Sequence, residues 1–114
     1  MSPEACRGKH YPAYIAKPAE GQHTYSVCFA QFSFGIGSGD TEREAVEHAE
    51  YVLAYGVSLM ASVPDLVSHE EAVQLVREEL DEIGISASDV SWTEIEVKLE
   101  VLEEEEVLEV ARGA

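Results

Sequence analysis

The sequence predicts an α+β fold, in which an antiparallel three-stranded meander is followed by a covering helix, then by a second helix and a C-terminal strand. Apolar and polar residues alternate over much of residues 10–38, as they do in strands with one buried face. Two capping boxes each open a stretch whose apolar residues recur at helical spacing. A further alternating stretch follows at 91–102.

The three strands of the meander are expected before residue 40. "HYPAYIAKP", residues 10–18, mixes tyrosine and isoleucine with small residues and ends at a proline, which predicts the first strand. The second strand is predicted at 25–29, and a break at 30–31 separates it from a third. The side chains expected on the alternating apolar positions are Tyr25, Val27, Phe29, Phe32, Phe34 and Ile36.

Both helices are predicted from their start signals. "TERE" at 41–44 opens a helix that is expected to run to about Ala61 and to cover one face of the sheet. "SHEE" at 68–71 opens the second helix, for which Gly84 is a natural C-cap. The apolar stripe of the first helix comprises Ala45, Ala49, Val52, Leu53, Gly56, Leu59 and Met60. That of the second comprises Ala72, Val73, Val76, Leu80 and Ile83.

The last predicted strand, at 91–102, has one apolar face and one mainly acidic face. The pattern leaves open whether the strand joins the same sheet or pairs with a second copy, and whether 103–114 continues as a strand or forms a short helix. We therefore predict a β-β-β-α core at 1–61 and an acidic helix-strand extension at 62–114, packed on the same domain.

The chain is acidic, and its acidity is uneven. Its 114 residues carry 23 Asp and Glu against 7 Lys and Arg, for a formal charge of −16. Residues 1–61 account for −3 of this charge and residues 62–114 for −13. Direct nucleic-acid binding is disfavoured because phosphates repel such a surface. No stretch approaches the roughly 20 apolar residues of a membrane span, and the N-terminus lacks a secretory signal. We therefore expect a cytoplasmic protein that binds no membrane.

No cofactor, metal site or enzymatic activity is expected. Two cysteines are too few for a disulfide framework and lack the CxxC spacing of zinc sites; Cys28 is predicted in a strand core. The four histidines lie apart, without the spacing of metal-ligand pairs. Glu47 with His48, or Asp65 with His69, are conceivable acid and base pairs. Helix surfaces carry such residues routinely, so catalysis is the weakest hypothesis.

The segment "FGIGSGDTERE", residues 34–44, raises the question of a phosphate-binding loop. Such loops present free backbone N–H groups at a helix N-terminus. Asp40, Glu42 and Glu44 place three carboxylates there, and no lysine follows the glycines as it does in a Walker loop. The glycines are therefore predicted to form a tight or bulged exit from the third strand.

An aromatic-rich strand, a Gly-Asp-Thr turn at 39–41 and a helix with alanines at Ala45 and Ala49 follow one another without a gap. In this order they resemble the core of the HicB-type antitoxins, and the resemblance covers about residues 10–61. Residues 30–35 differ from the Pro-Asp-Leu-Pro-Gly-Cys pattern of that family.

The resemblance implies a partial ribonuclease-H-like fold and a non-enzymatic activity, the inhibition of a small basic RNA-cleaving toxin by covering its active surface. Members of the family commonly oligomerise, and a last strand with one apolar face suits sheet extension, so a homodimer is expected. The family's C-terminal DNA-binding element is not expected here, because Arg77, Lys98 and Arg112 are the only basic residues after Arg43.

The acids of the second half are predicted to bind the partner. They would compete for the surface on which a basic nuclease or nucleic-acid-binding protein otherwise holds phosphates, and such complementarity speeds encounter and sets specificity. Trp92 is expected to anchor the contact at the edge of the acidic face. The predicted partner-binding residues are Trp92, Glu94, Glu96, Glu100, Glu103, Glu104, Glu105 and Glu106.

Three other interpretations stay open. A phage or mobile-element protein that mimics nucleic acid to block a host defence complex, as anti-CRISPR proteins do, would use the same acids. A high-salt cytoplasm would explain acidity without a partner, although it predicts even acidity over both halves. A run of glutamates is also commonly a solvated surface, and glutamates along a strand discourage aggregation at sheet edges.

Overall fold

A four-stranded antiparallel sheet carries helices on both faces, in agreement with the predicted α+β class. The computed structural model describes residues 2–18, 20–33, 36–82, 84–85 and 90–102. Its elements are α1 (Pro3–Cys6), β1 (His10–Ala16), β2 (Tyr25–Phe29), β3 (Ile36–Gly39), α2 (Glu42–Ser58), α3 (His69–Glu82) and β4 (Ser91–Glu96). Among the described residues, no helix combines the length and apolar character needed to cross a membrane.

The last strand lies in the same sheet as the meander. The strand order is β3-β2-β1-β4, and each neighbouring pair is antiparallel. β4 runs alongside β1 from the pair His10 and Glu96 to the pair Ile15 and Ser91. The strand that could have been donated to a second copy is therefore paired within its own chain, where it forms one edge of the sheet.

Pro12 lies inside β1, although proline is disfavoured in a central strand because it has no backbone N–H to donate. The register between β1 and β2 begins with Ala13 opposite Phe29, the last residue of β2. Pro12 is thus opposite the point where β2 has ended, and its carbonyl still accepts a hydrogen bond from Ala30 N–H at 3.1 Å. The missing donor therefore costs the sheet no interior hydrogen bond.

Gly37 and Gly39 allow α2 to approach β3 closely. A Cβ on Gly37 would lie 2.5 Å from Cβ of Ala49, and one on Gly39 would lie 2.6 Å from the Ala45 backbone nitrogen. Neither glycine has a positive φ angle, so neither is needed for a left-handed turn at the strand exit, and Gly35, the third glycine of that prediction, lies outside the described residues. The two glycines are spacers for helix packing. Because Gly37 takes the buried position, Ile36 faces the other way and is 55% exposed, which corrects its predicted place on the apolar side.

The start of α2 agrees with the predicted capping box. Thr41 Oγ1 accepts a hydrogen bond from Glu44 N–H at 3.1 Å, and the Glu44 carboxylate accepts one from Asp40 N–H at 3.1 Å. The first bond satisfies a donor that a helix N-terminus otherwise leaves unpaired, whereas the second reaches Asp40, one residue before the Thr41 cap. A protein carboxylate thus occupies the position that a phosphate would need.

Both α2 and β4 are shorter than predicted. α2 ends at Ser58, and Leu59, predicted on its apolar stripe, is 71% exposed. β4 ends at Glu96. Val97 N–H still donates to the Lys9 carbonyl at 2.8 Å, and the Val97 carbonyl accepts a hydrogen bond from the next residue back, Gly8, at 2.9 Å. Two residues of one strand facing one of the other form a bulge, and such bulges commonly terminate strand pairing.

Alternate residues of the sheet supply two separate cores. The larger core lies between the sheet and α2, and its members include Tyr11, Val27, Phe29, Leu53, Val57 and Ile95. The smaller core lies under α3 and consists of Tyr14, Val76 and Leu80, with Cys28 and Trp92 packed against it. Each face of the sheet is therefore covered by one helix.

The ends of α3 agree with the sequence prediction. Ser68 Oγ accepts a hydrogen bond from Glu71 N–H at 3.2 Å at the start of the helix. At its end Gly84 adopts φ of +77°, and Ile85 N–H donates to the Leu80 carbonyl at 2.9 Å. The left-handed backbone conformation at Gly84 is the C-cap geometry that glycine favours.

Candidate functional site

The predicted acidic face of β4 is only partly formed. Trp92, Glu94 and Glu96 share the face of the sheet on which Tyr14 lies, as the alternation along β4 predicts. Glu94 is exposed, and no salt bridge between described residues involves it. Of the two carboxylates of this strand, it is the one with no ionic neighbour among the described residues.

Trp92 has a packing role in the fold. Its ring lies 5.7 Å from the ring of Tyr14 and 5.4 Å from that of His69, the first residue of α3. These edge and tilted contacts are the favourable geometries for aromatic pairs. Trp92 thus holds the beginning of α3 against β4, and as a half-buried side chain it presents only part of its ring to a partner.

The other two predicted glutamates near β4 each lie beside a basic residue. Glu96 lies 3.6 Å from His10 Nε2 across the β1 and β4 pair. Glu100 accepts a hydrogen bond from Arg7 at 3.2 Å and lies on a helical turn after the end of β4. The prediction that Glu100 shares a strand face with Glu94 is therefore wrong, because the bulge at Val97 ends the strand. Glu103, Glu104, Glu105 and Glu106 lie outside the described residues.

A further ion pair lies just beyond the end of β4. Lys98 contacts the carboxylate of Glu50 on α2, and this contact raises the pKa of the lysine. Arg7 and Lys98 therefore pair with acids of the fold itself, and no salt bridge between described residues involves a carboxylate of α3.

A shallow cleft of about 450 Å³ lies apart from these ion pairs and is lined by Cys28, Phe32, Ile36 and Glu79 among others.

Sequence reasoning missed an acidic surface within the described residues, on the exposed side of α3. Every carboxylate of this helix is exposed, and no salt bridge between described residues involves any of them. We call these residues the acidic helix face: Glu70, Glu71, Glu78, Glu79, Asp81 and Glu82. The signal was present in the sequence, because these acids occupy the helical positions left over by the buried stripe of Ala72, Val76 and Leu80.

An exposed apolar side chain lies within the acidic helix face. Leu75 is 57% exposed. Glu71, Leu75, Glu78 and Glu82 follow one another at intervals of four, three and four residues, so they form one row along α3. The surface therefore offers an apolar contact flanked by carboxylates.

The groups considered for catalysis do not form acid and base pairs. The His48 ring accepts a hydrogen bond from Ser38 N–H at 3.0 Å, whereas Glu47 binds Arg43 at 3.3 Å. His69 packs on Trp92. No group of three or more His, Cys, Asp or Glu within the described ranges could hold a metal ion.

Cys28 is a protonated thiol at neutral pH. Burial raises its pKa above the ordinary value of 9.0, and the hydrogen bond from Tyr14 only partly offsets this. Burial likewise raises the pKa of Tyr14 above 10.0. The thiolate is the nucleophilic form of cysteine, so this thiol is poorly suited to covalent catalysis.

Raising the pH is expected to destabilise the fold. Cys28, Tyr14 and Tyr11 all have pKa values raised by burial. In the unfolded chain the same three side chains ionise at lower pH than in the folded chain. The free energy of unfolding should therefore fall as the pH rises above about 9. Urea denaturation at about pH 8 and about pH 10.5 measures this loss. Tyr14→Phe should show a smaller loss than the unmodified chain, and an equal loss would contradict the assignment.

Comparison with known proteins assigns no family. No protein-family model, curated protein or solved structure matches the chain. The function is therefore argued from the surfaces described above, and the resemblance to HicB-type antitoxins stays a prediction from the residues.

Proposed function

We propose that the chain is a non-enzymatic inhibitor, a HicB-like antitoxin that binds and masks a basic nuclease or nucleic-acid-binding protein. The observation that carries the proposal is the acidic helix face, with six exposed carboxylates against the single Arg77. A surface of one sign raises the local concentration of an oppositely charged partner and speeds association. Glu94 adds a carboxylate on β4, the strand against which the first residue of α3 packs.

The acids near the C-terminal end of α3 work against the stability of the helix, which supports a role outside folding. The last turn carries Asp81 and Glu82 and no basic residue, although the negative end of a helix dipole favours cations there. Glu78 has like charges at three and four residues' distance in Asp81 and Glu82, which also destabilises a helix. Departures from local preference of this kind are expected where a surface serves binding.

Leu75 supports a protein partner over a purely ionic interaction. Interface energy concentrates in a few side chains near the centre of a contact, with polar groups around them. An exposed leucine in a row of glutamates has this arrangement. The expected partner surface carries Lys and Arg around a small apolar pocket.

The proposal predicts that Glu71, Glu78 and Glu82, changed together to glutamine, weaken partner binding without weakening the fold. Three exposed charge contacts at about 0.7 kcal/mol each correspond to roughly a 30-fold loss of affinity. The same changes remove repulsion within α3, so the free energy of unfolding should stay equal or rise by a few tenths of a kcal/mol. A variant that is at least as stable and binds less tightly is the expected result.

The experiment is affinity capture from native host extract at low and high salt, followed by mass identification and a ribonuclease assay on the captured protein. The matched control changes Glu20, Glu42 and Glu47 to glutamine, which removes the same charge from another part of the chain and should change affinity less than about threefold. A small basic ribonuclease that is released by salt and inhibited by the chain supports the proposal. Equal losses in both variants, or no salt-sensitive partner, contradict it.

The alternative, a nucleic-acid mimic from a phage or mobile element, makes a different prediction in the same experiment. It would capture a large nucleic-acid-handling defence complex, and added nucleic acid would compete for the bound site. A homodimer, the proposed assembly, is measured on the same preparation by sedimentation equilibrium, and a monomer at all concentrations would contradict it.

A further inference from the structure

The outer edge of β4 carries backbone groups that no described strand pairs. The Lys9 carbonyl accepts a hydrogen bond from Val97 on the β4 side, whereas the Pro12 carbonyl accepts one from Ala30 on the β2 side. The backbone N–H and C=O groups of successive residues in an antiparallel strand point to opposite neighbouring strands. The odd-numbered residues of β1 therefore point these groups to β4, and the even-numbered residues point them to β2.

This alternation fixes which groups of β4 point outward. Glu94 lies opposite Pro12, and Trp92 opposite Tyr14. Since these residues of β1 direct their backbone groups to β2, their partners on β4 form non-hydrogen-bonded pairs with β1. The backbone N–H and C=O groups of Trp92, Glu94 and Glu96 therefore point away from the sheet, along an edge we call the β4 edge.

The side chains beside this edge select for a basic strand. A strand added to the β4 edge would place its hydrogen-bonded residues directly opposite Glu94 and Glu96, with side chains on the same face. Glu94 is exposed, and Glu96 keeps 35% of its side chain exposed beside His10. Opposite charges stabilise cross-strand pairs and like charges destabilise them.

A second copy of the chain is a poor occupant for the same reason. In the antiparallel register centred on Glu94, which pairs residues 92–96 of β4 with the same residues of another copy, Glu94 would lie directly opposite its counterpart. Charged side chains on exposed edges act against such self-pairing. The glutamates therefore disfavour self-pairing in this register and favour a cationic segment.

We propose that the β4 edge binds an extended segment of the basic partner by strand addition, with Lys or Arg at alternate positions opposite Glu94 and Glu96. The inference rests on the proposed function and adds the way in which the partner is held. Main-chain hydrogen bonds would supply affinity, and the two glutamates would supply register and preference for basic residues. The bulge at Val97 ends the edge, so the added segment pairs over about the six residues of β4.

The probe is the acetylated and amidated peptide Lys-Val-Lys-Val-Lys-Val-Lys, titrated into the ¹⁵N-labelled full chain and followed by amide hydrogen exchange. We expect the amides of Trp92, Glu94 and Glu96 to gain protection. Those of Thr93 and Ile95, which already face β1, should change least. A peptide of the same sequence, N-methylated at alternate residues, keeps its charge but cannot form the ladder, and its binding should be at least about tenfold weaker.

Two variants separate the charge from the hydrogen bond. Glu94→Gln removes only the charge and should weaken peptide binding about threefold. Glu94→Pro also removes an outward N–H, which an edge strand tolerates, and should weaken binding at least about tenfold more; circular dichroism checks that its fold is retained. Equal binding by the methylated peptide, or protection confined to α3, overturns the inference. Protection of these amides that rises with protein concentration alone also overturns it, because it shows a second copy on the edge.

This experiment can fail separately from the proposed function. If the captured partner binds and responds to the Glu71, Glu78 and Glu82 changes but the peptide does not protect the β4 edge, only strand addition is wrong. If no salt-sensitive partner is captured, the proposed function fails whatever the peptide does.

Discussion

Replacing Gly37 by alanine is expected to lower the free energy of unfolding by about 2 to 3 kcal/mol, the usual range for overpacking a close contact. The added Cβ would lie 2.5 Å from the Ala49 Cβ and 2.6 Å from the Ala49 Cα and backbone nitrogen. Backbone atoms cannot turn aside as a flexible side chain can, so α2 must move off β3. Urea denaturation followed by circular dichroism measures the loss.

Ser38→Ala is the matched control for this prediction. Ser38 is on the same strand but exposed, and its loss should change stability by less than about 0.5 kcal/mol. Changing Ala49 to glycine in the Gly37→Ala background should recover part of the stability, because it removes only the side-chain part of the clash. A Gly37→Ala chain as stable as the Ser38→Ala chain would contradict the close helix packing.

Replacing Leu80 by alanine is expected to cost about 3 kcal/mol, within the range measured for buried leucines. Leu80 is fully buried and, with Tyr14 and Val76, is one of the three buried side chains that the described residues contribute to the core under α3. Its loss removes a large part of the apolar contact that holds the acidic helix face on the sheet. We therefore expect both a lower free energy of unfolding and faster amide exchange along α3 than along α2.

Leu75→Ala makes the same substitution five residues earlier on the same helix. Leu75 is 57% exposed, so its stability change should stay below about 0.5 kcal/mol. Its partner affinity should nevertheless fall about tenfold, as for an anchor residue. A comparable loss of stability in both variants would show that Leu75 is packed, and unchanged affinity in Leu75→Ala would remove it from the proposed interface.

Much of the fold was predictable from local pattern. The period-two runs located β1, β2 and β4, and the two capping boxes located α2 and α3, because strand alternation and N-capping are local properties. The phase of β3 was not predictable from its own residues. The alternation alone predicts Ile36 in the core. Gly37 takes the buried position instead because Ala45 and Ala49 of α2 approach β3 closely.

The candidate site was predictable in its charge and not in its position. The excess of acid in residues 62–114 pointed to the second half. The strand alternation placed Glu94 and Glu96 correctly, but it predicted a strand that continues to Glu100. The bulge that ends β4 depends on Gly8, which is far away in sequence, so the residues of β4 do not indicate it. The acids of α3 are indicated only indirectly, by the helical positions that its buried stripe leaves to solvent.

The position of β4 beside β1 also determines the order in which the molecule can assemble. β1, β2 and β3 are neighbours in sequence, whereas roughly 75 residues separate β1 from β4. A nascent chain can therefore complete the meander and dock α2 before β4 leaves the ribosome. During that interval the backbone groups of β1 that later pair with β4 are unpaired, and β4 of another chain can bind them. Dilute refolding should thus favour closed monomers, and concentrated refolding should yield kinetically trapped dimers that have exchanged β4.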